Sequence, residues 1–132
     1  MSDQSPTDAS ARIDLEVPAR TEFASTVRLI AASLGADSGF TIDEIDDLRL
    51  GLNEIFACLA DDERVERVSM SFLLGVGSLS VTVGSPELNE AIELDELAAT
   101  ILRSVVDDIA RSGGTIRVVK TAAEVAASGF QS

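Results

Sequence analysis

Residues 42–61 constrain the fold most, because their apolar side chains recur at helical spacing over several turns. Such a segment predicts a long amphipathic helix that must bury one face against other elements. Thr41 and Glu44 have the T-x-x-E spacing of a capping box, which satisfies free N–H groups at a helix start. The helix is therefore predicted to begin at residue 42. Its apolar stripe consists of Ile45, Leu48, Leu52, Ile55 and Leu59.

The rest of the chain divides into strands and helices by the same criterion of periodicity. Alternating apolar residues predict strands over residues 13–17, 68–74, 79–83, 109–111 and 115–120. Helical spacing predicts two further helices, over residues 23–34 and 94–105. Gly35 suits the end of the first of these helices, and glycine turns at 75–77 and 113–114 suit hairpins. Thr121 and Glu124 repeat the capping-box spacing and predict a short terminal helix.

The order β-α-α-β-β-α-β-β predicts one α/β (α+β) domain built as a two-layer sandwich. We expect a mixed, mostly antiparallel five-stranded sheet, covered on one face by two to three helices. Residues 1–11 are polar and predict a flexible leader, which leaves residues 12–132 as the domain. The full length of 132 residues is sufficient for a real hydrophobic core.

The charge balance excludes several classes of function. Ten basic and 23 acidic residues give a net charge of −13, which disfavours binding to nucleic acid and to anionic membranes. The same charge either suits a basic protein partner or only keeps the protein soluble. The chain has no histidine, which excludes Ser-His-Asp and Cys-His catalysis, and its single cysteine excludes an intrachain disulfide. No signal-peptide or membrane-spanning pattern is present, so we expect a cytoplasmic protein.

Two polar residues of the long helix, Glu54 and Cys58, are the candidate functional residues. They are four positions apart and therefore share one helical face. A carboxylate and an amide at this spacing could hold a water molecule and a metal-bound phosphate. A thiol is a soft ligand that suits Mg²⁺ poorly, so Cys58 does not replace the amide. The alternative for each residue is structural: a solvated glutamate and a small buried apolar side chain. We expect no metal site.

Several segments resemble the histidine-kinase-like (GHKL) ATPase superfamily, and in particular its anti-sigma factor serine-protein kinases. These are residues 17–20 before the first helix, residues 42–54 in the second, and residues 102–109 and 112–118 near the end. The resemblance covers roughly residues 13–120 and includes the order of the elements. It implies a nucleotide-binding fold in which Glu54 corresponds to the family's catalytic glutamate.

The resemblance also implies that most of the family's nucleotide-binding positions have changed. Cys58 stands at the position of the magnesium-binding asparagine, and Ser85 or Gly84 at that of the adenine-binding aspartate. Residues 84–93 replace a long mobile lid, and its two glycines correspond to Glu96 and Ala98. The expected state is a degenerate site with no cofactor, although weak Mg-ATP binding in a remodelled pocket stays open.

Three functions remain open at this stage. The resemblance implies an anti-sigma-like protein that binds a sigma factor or a STAS anti-anti-sigma partner, with homodimerisation as a family trait. Its contacts would lie around Arg20, Glu22, Arg28 and residues 43–47. The alternative is a serine/threonine kinase acting on the STAS partner, with Glu54 as base and Asn53 or Asp62 as metal ligand. The third function is that of a small acidic scaffold.

Overall fold

A computed structural model of the chain describes residues 9–123, which form one sheet and three helices. The elements are β1 (Ala9–Pro18), a 3-10 turn (Thr21–Phe23), α1 (Ala24–Asp37), α2 (Ile42–Ala60), β2 (Arg67–Gly75), β3 (Ser78–Gly84), α3 (Glu96–Val105), β4 (Asp108–Ser112) and β5 (Thr115–Thr121). Among the described residues, no helix is long and apolar enough to cross a membrane.

The five strands form a single sheet in the order β1-β2-β3-β5-β4, and each strand is antiparallel to its neighbours. The predicted two-layer α+β sandwich is confirmed. The sheet is antiparallel in all of its pairings, whereas the sequence had suggested a mixed one. The path of the chain after α3 explains this. β4 forms the edge of the sheet, and the chain then turns back so that β5 lies between β4 and β3 and runs antiparallel to β3.

The core lies between the inner face of the sheet and the helices. Phe72 pairs with Val81 on the next strand, and Val81 with Val118 beyond it, so one apolar row crosses three strands. All three side chains are fully buried. On the helical side, the predicted stripe of α2 is confirmed: Leu48, Leu52, Ile55 and Leu59 are buried and Ile45 is partly buried. Phe56, which is not part of the predicted stripe, also belongs to this core.

The end of α1 differs from the prediction. Gly35 lies inside the helix, which continues to Asp37, and Gly39 has the positive φ of 86° that ends such a helix. Gly35 instead allows α2 to approach closely, since a Cβ atom there would lie 3.0 Å from Ile45 Cγ1. A glycine kept for close packing and a glycine kept for a turn cannot be distinguished by composition alone.

Two other boundaries also need correction. β1 begins at Ala9, so residues 9–11, which we assigned to the leader, are part of the sheet. α3 begins at Glu96 instead of residue 94, and Leu97, one of the apolar residues whose spacing indicated this helix, is 68% exposed. The capping box of α2 is confirmed, with Glu44 N–H donating to Thr41 Oγ1. Glu124, and with it the predicted terminal helix, lies outside the described residues.

Candidate functional site

A cleft of about 500 Å³ lies between the C-terminal half of α2 and the segment that leads into α3. The cleft is acidic, because four of its lining residues are carboxylates and none is a lysine or an arginine. Its lining residues are Thr21, Glu54, Ala57, Cys58, Asp61, Glu93, Leu94 and Asp95. Such a surface attracts cationic groups and repels anions. Within residues 9–123, no group of three histidine, cysteine, aspartate or glutamate side chains is placed to hold a metal ion.

The helix α2 supplies one wall of this acidic cleft. Glu54, Cys58 and Asp61 follow one another at spacings of four and three residues, which places them along one helical face. The opposite face of α2 contributes Leu52, Ile55 and Leu59 to the core. The apolar stripe therefore fixes the direction in which the polar residues point. Glu54 and Cys58 lie together in the cleft.

The start of α3 supplies the other wall. Asp95 is the N-cap residue, and its Oδ1 accepts a hydrogen bond of 2.7 Å from the Ala98 N–H group. A helix N-terminus is a common binding place for an anion, because its first N–H groups have no partner within the helix. Here a carboxylate of the chain itself takes that place. Glu96 and Ala98, where the resemblance placed two glycines, lie in the first turn of this helix.

The thiol of Cys58 faces a negative environment. Burial raises the pKa of Cys58, and the carboxylates of Asp95, Glu54 and Asp61 raise it further, against a hydrogen bond from the backbone of Asp95. Both causes disfavour the thiolate. The thiolate is the form that attacks electrophiles and binds metals, so this setting disfavours both reactions at Cys58.

Ser85 does not line the acidic cleft. It lies just beyond β3, where its buried hydroxyl donates a 2.7 Å hydrogen bond to Glu87 Oε1. The same carboxylate accepts hydrogen bonds from the backbone N–H groups of Glu66 and Arg67. These bonds, with the serine hydroxyl contributing most, lower the pKa of Glu87 to about 2. The structure therefore gives Ser85 a role in fixing the chain after β3.

Residues 85–95, which connect β3 to α3 and include most of residues 84–93, where the resemblance implies a shortened lid, pack onto the rest of the domain. Leu88 and Ile92 are 8% and 3% exposed and belong to the core. Arg64 Nη1 pairs with Glu90 Oε2 at 2.6 Å on the surface of this segment. The carbonyl of Leu88 lies so close to the backbone of Gly114 that a Cβ atom there would be 2.5 Å from its oxygen. The segment is therefore a packed part of the fold.

Neither of the two residues considered as replacement metal ligands lies in the acidic cleft. The amide oxygen of Asn53 accepts a 3.1 Å hydrogen bond from Arg28 on the α1 side of α2. Asp62 binds the guanidinium of Arg64 with both oxygens, and these bonds lower its pKa to about 2. A helical rotation of roughly 100° per residue explains why Asn53 points away from Glu54.

The acidic face at residues 43–47 is largely used within the chain. Glu44 accepts hydrogen bonds from the backbone N–H groups of Thr41 and Ala123, and these lower its pKa. Asp47 lies 3.4 Å from Lys120 Nζ, which also donates to the Val105 carbonyl. Charges that already hold the C-terminal end of the described chain are less available to a partner.

Three of the four carboxylates of the acidic cleft are not predicted from the sequence: Asp61, Glu93 and Asp95. For Asp61 and Glu93, the sequence indicates nothing beyond an acidic side chain. For Asp95 it offers one indication, because an aspartate just before an apolar helical pattern is a common N-cap. The predicted start of the third helix at residue 94 placed Asp95 inside the helix, so this N-cap role was not predicted.

Comparisons with known proteins agree with the resemblance seen in the sequence. Two proteins named serine-protein kinase RsbW, from two strains of Bacillus cereus, are each 22% identical to the chain; the match covers 74% of the chain and 75% of each relative. The crystal structure of the RsbU and RsbW domains of Rv1364c from Mycobacterium tuberculosis shares the fold, with a TM-score of 0.58 and 15% identity. That match covers 86% of this chain and 32% of the other. No protein-family model matches the chain.

Proposed function

We propose that this RsbW-like member of the GHKL superfamily is an anti-sigma-type regulator that acts by stoichiometric protein binding, without a nucleotide. Its partners would be a sigma factor and a STAS anti-anti-sigma protein. The observation that supports this most is the acidic cleft, in which Glu54 and Cys58 lie with three further carboxylates and with no basic residue among the described residues that line it.

Electrostatics argue against a polyphosphate in this cleft. Two like charges about 4 Å apart repel by about 4 kcal/mol at an effective dielectric constant of 20. A triphosphate beside Glu54, Asp61, Glu93 and Asp95 would meet several such terms without a basic residue to offset them. A Mg²⁺ bound to the phosphates would offset part of this repulsion and needs only one or two protein ligands, with oxygen as the donor atom. At the magnesium-ligand position that the resemblance implies, the side chain is the thiol of Cys58, which suits Mg²⁺ poorly.

The packed segment between β3 and α3 argues in the same direction. A nucleotide lid must open and close around its ligand. Leu88 and Ile92 anchor this segment in the core, and Glu87 ties it to the start of β2. Opening it would expose two apolar side chains, at about 1.5–3 kcal/mol each if both were fully exposed. A constant surface suits constitutive binding to a protein better than it suits nucleotide exchange.

The same charges favour a partner with basic side chains. The acidic cleft could receive lysine or arginine residues, and Thr21 places its edge beside the region of Arg20 and Glu22. In that region the Arg20 guanidinium lies 5.4 Å from the centroid of the Phe23 ring. We place the sigma-factor contact on this continuous surface. Homodimerisation, a trait of the family, is part of the same proposal.

Complex formation in the absence of nucleotide tests this function. Each sigma factor and STAS protein of the source genome would be mixed with the chain, and complexes measured by size-exclusion chromatography with light scattering. We expect a stable complex with at least one of them, unaffected by Mg-ATP. Glu54→Lys should weaken it, whereas Asp37→Lys, an exposed acid at the end of α1, should not. Absence of every complex, or a complex that requires ATP, would contradict the proposal.

A second candidate function, that of a serine-protein kinase, is favoured by one observation. Glu54 is retained and lines the acidic cleft, and the Bacillus relatives bear the name of serine-protein kinases. Transfer of labelled phosphate from ATP to a STAS protein would support it, if Glu54→Ala abolished the transfer. Calorimetry gives a second criterion: a dissociation constant for Mg-ATP below about 100 μM, roughly −5.5 kcal/mol, would favour the kinase. Absence of both heat and transfer would leave protein binding alone.

A further inference from the structure

A second cavity, of about 310 Å³, lies between α3 and the edge strand β4. Its lining residues are Leu94, Ala99, Leu102, Arg103, Ile109 and Arg111. Leu94 also lines the acidic cleft. In contrast to that cleft, this cavity has two guanidinium groups and no carboxylate among its lining residues.

The two arginines of this cavity are free of acidic partners within the described part of the chain. Arg12, Arg20, Arg49, Arg64 and Arg67 each form an ion pair with a neighbouring carboxylate. Arg103 and Arg111 do not, although acidic residues outnumber basic ones by 23 to 10 in the whole sequence. The Arg111 guanidinium donates only a long hydrogen bond, of 3.4 Å, to the Ile92 carbonyl. Both groups can therefore bind an anion.

The other residues that line this cavity are apolar. Leu102 is 1% exposed, and Leu94 and Ile109 are partly buried hydrophobic residues that pack on the core. Small-ligand sites combine such an apolar lining with a few polar groups that fix the orientation. A cavity lined by two guanidinium groups together with leucine and isoleucine side chains suits a ligand with one anionic end and one apolar end.

We infer that this cavity binds a small monocarboxylate with an apolar body, of the medium-chain fatty-acid type. Its volume is at the lower end of the 300–1,000 Å³ typical of ligand pockets, which favours a small ligand. A single negative charge is favoured over a phosphate, since each additional charge is repelled by the net charge of −13. Arginine binds a carboxylate through two parallel hydrogen bonds, which fixes the head of the ligand. The inference does not depend on the proposed function.

Titration of the intact chain with octanoate, followed by calorimetry and by amide chemical shifts in NMR, tests this site. We expect saturable binding with a dissociation constant of about 1 mM or tighter. Arg103→Gln and Arg111→Gln should each weaken it by about fivefold or more, because a charged hydrogen bond is lost. Arg117→Gln is the matched control, because Arg117 lies on the opposite face of the sheet and should leave the affinity within about twofold.

Two further ligands separate the parts of this recognition. Octanol lacks the charge and acetate lacks the apolar body, so both should bind much more weakly than octanoate. The largest shift changes should lie at Ala99, Arg103 and Ile109. Absence of saturation up to about 10 mM, or an affinity that neither arginine variant changes, would overturn the inference. Equal binding of octanol or acetate, or shift changes confined to another surface, would overturn it as well.

Discussion

Replacing Gly114 by alanine tests whether residues 85–95 are packed against the β4–β5 turn. A Cβ atom at this position would lie 2.5 Å from the carbonyl oxygen of Leu88 and 3.0 Å from its carbonyl carbon. Both are backbone atoms, so relief requires a shift of the segment or of the turn. Gly113 provides a matched control, because its φ is +56° but no atom lies within 4 Å of a Cβ atom added there.

The expected magnitudes follow from these two environments. Overpacking costs about 1–3 kcal/mol, and we place Gly114→Ala near the upper end because backbone must move. Alanine also restricts the unfolded chain more than glycine does, which raises the free energy of unfolding by about 0.4–1 kcal/mol. The expected net decrease in the free energy of unfolding is therefore about 2 kcal/mol. For Gly113→Ala, the left-handed conformation costs about 1–2 kcal/mol, and the same correction leaves about 1 kcal/mol or less.

Urea unfolding followed by far-ultraviolet circular dichroism measures both free energies, since the chain has no tryptophan or tyrosine to report by fluorescence. Hydrogen exchange at the Leu88 amide, which donates to the Ser85 carbonyl, reports the segment directly. In Gly114→Ala this amide should exchange faster than in Gly113→Ala. A Gly114 variant as stable as the Gly113 variant, with unchanged exchange at Leu88, would refute the packing of the segment.

Four further predictions concern single side chains. The pKa of Glu87 is lowered to about 2, against 4.5 for a free glutamate, so its ionised form stabilises the fold above pH 4.5 and this stabilisation is lost as the pH falls toward 2. In Glu87→Gln the melting temperature should therefore fall less between pH 4.5 and pH 2 than in the unmodified protein. The raised pKa of Cys58 predicts a midpoint above pH 9.0 for its alkylation by iodoacetamide, and Asp95→Asn should lower this midpoint. Glu44→Ala removes two hydrogen bonds to backbone N–H groups and should cost about 1–2 kcal/mol in urea unfolding, whereas Asp43→Ala should cost less than about 0.5 kcal/mol. Phe72→Ala, at a fully buried position of the sheet, should cost about 3–5 kcal/mol in the same assay.

The architecture could be predicted from the sequence because local signals and burial agree along most of the chain. The capping box at Thr41 predicted where α2 begins, and the apolar stripe predicted which face of the helix carries Glu54 and Cys58. Alternation in β2 and β3 likewise matched their buried faces residue by residue. Where two signals competed, the prediction failed: Gly35 had the composition of a helix stop but is needed for close helix packing.

The candidate site was less predictable, because it depends on contacts between distant segments. The sequence placed Glu54 and Cys58 on one face, but it could not show that Glu93 and Asp95, which follow β3 much later in the chain, pack beside that face. For Ser85, the resemblance implied a nucleotide-binding position, whereas in the structure its hydroxyl donates a hydrogen bond to Glu87, two residues later. A position in an alignment carries no information about such a hydrogen bond.

A packed segment also limits how this protein can be regulated under the proposed function. In a nucleotide-dependent regulator, ligand binding orders a mobile lid, and the entropy of that ordering couples the nucleotide to the partner. Leu88, Ile92 and the hydrogen bonds of Glu87 instead hold residues 85–95 against the rest of the domain. A ligand that makes no differential contact with two states cannot shift them. Release of a bound sigma factor would then have to come from competition by a second protein for the same surface, and its rate should be the same with and without Mg-ATP.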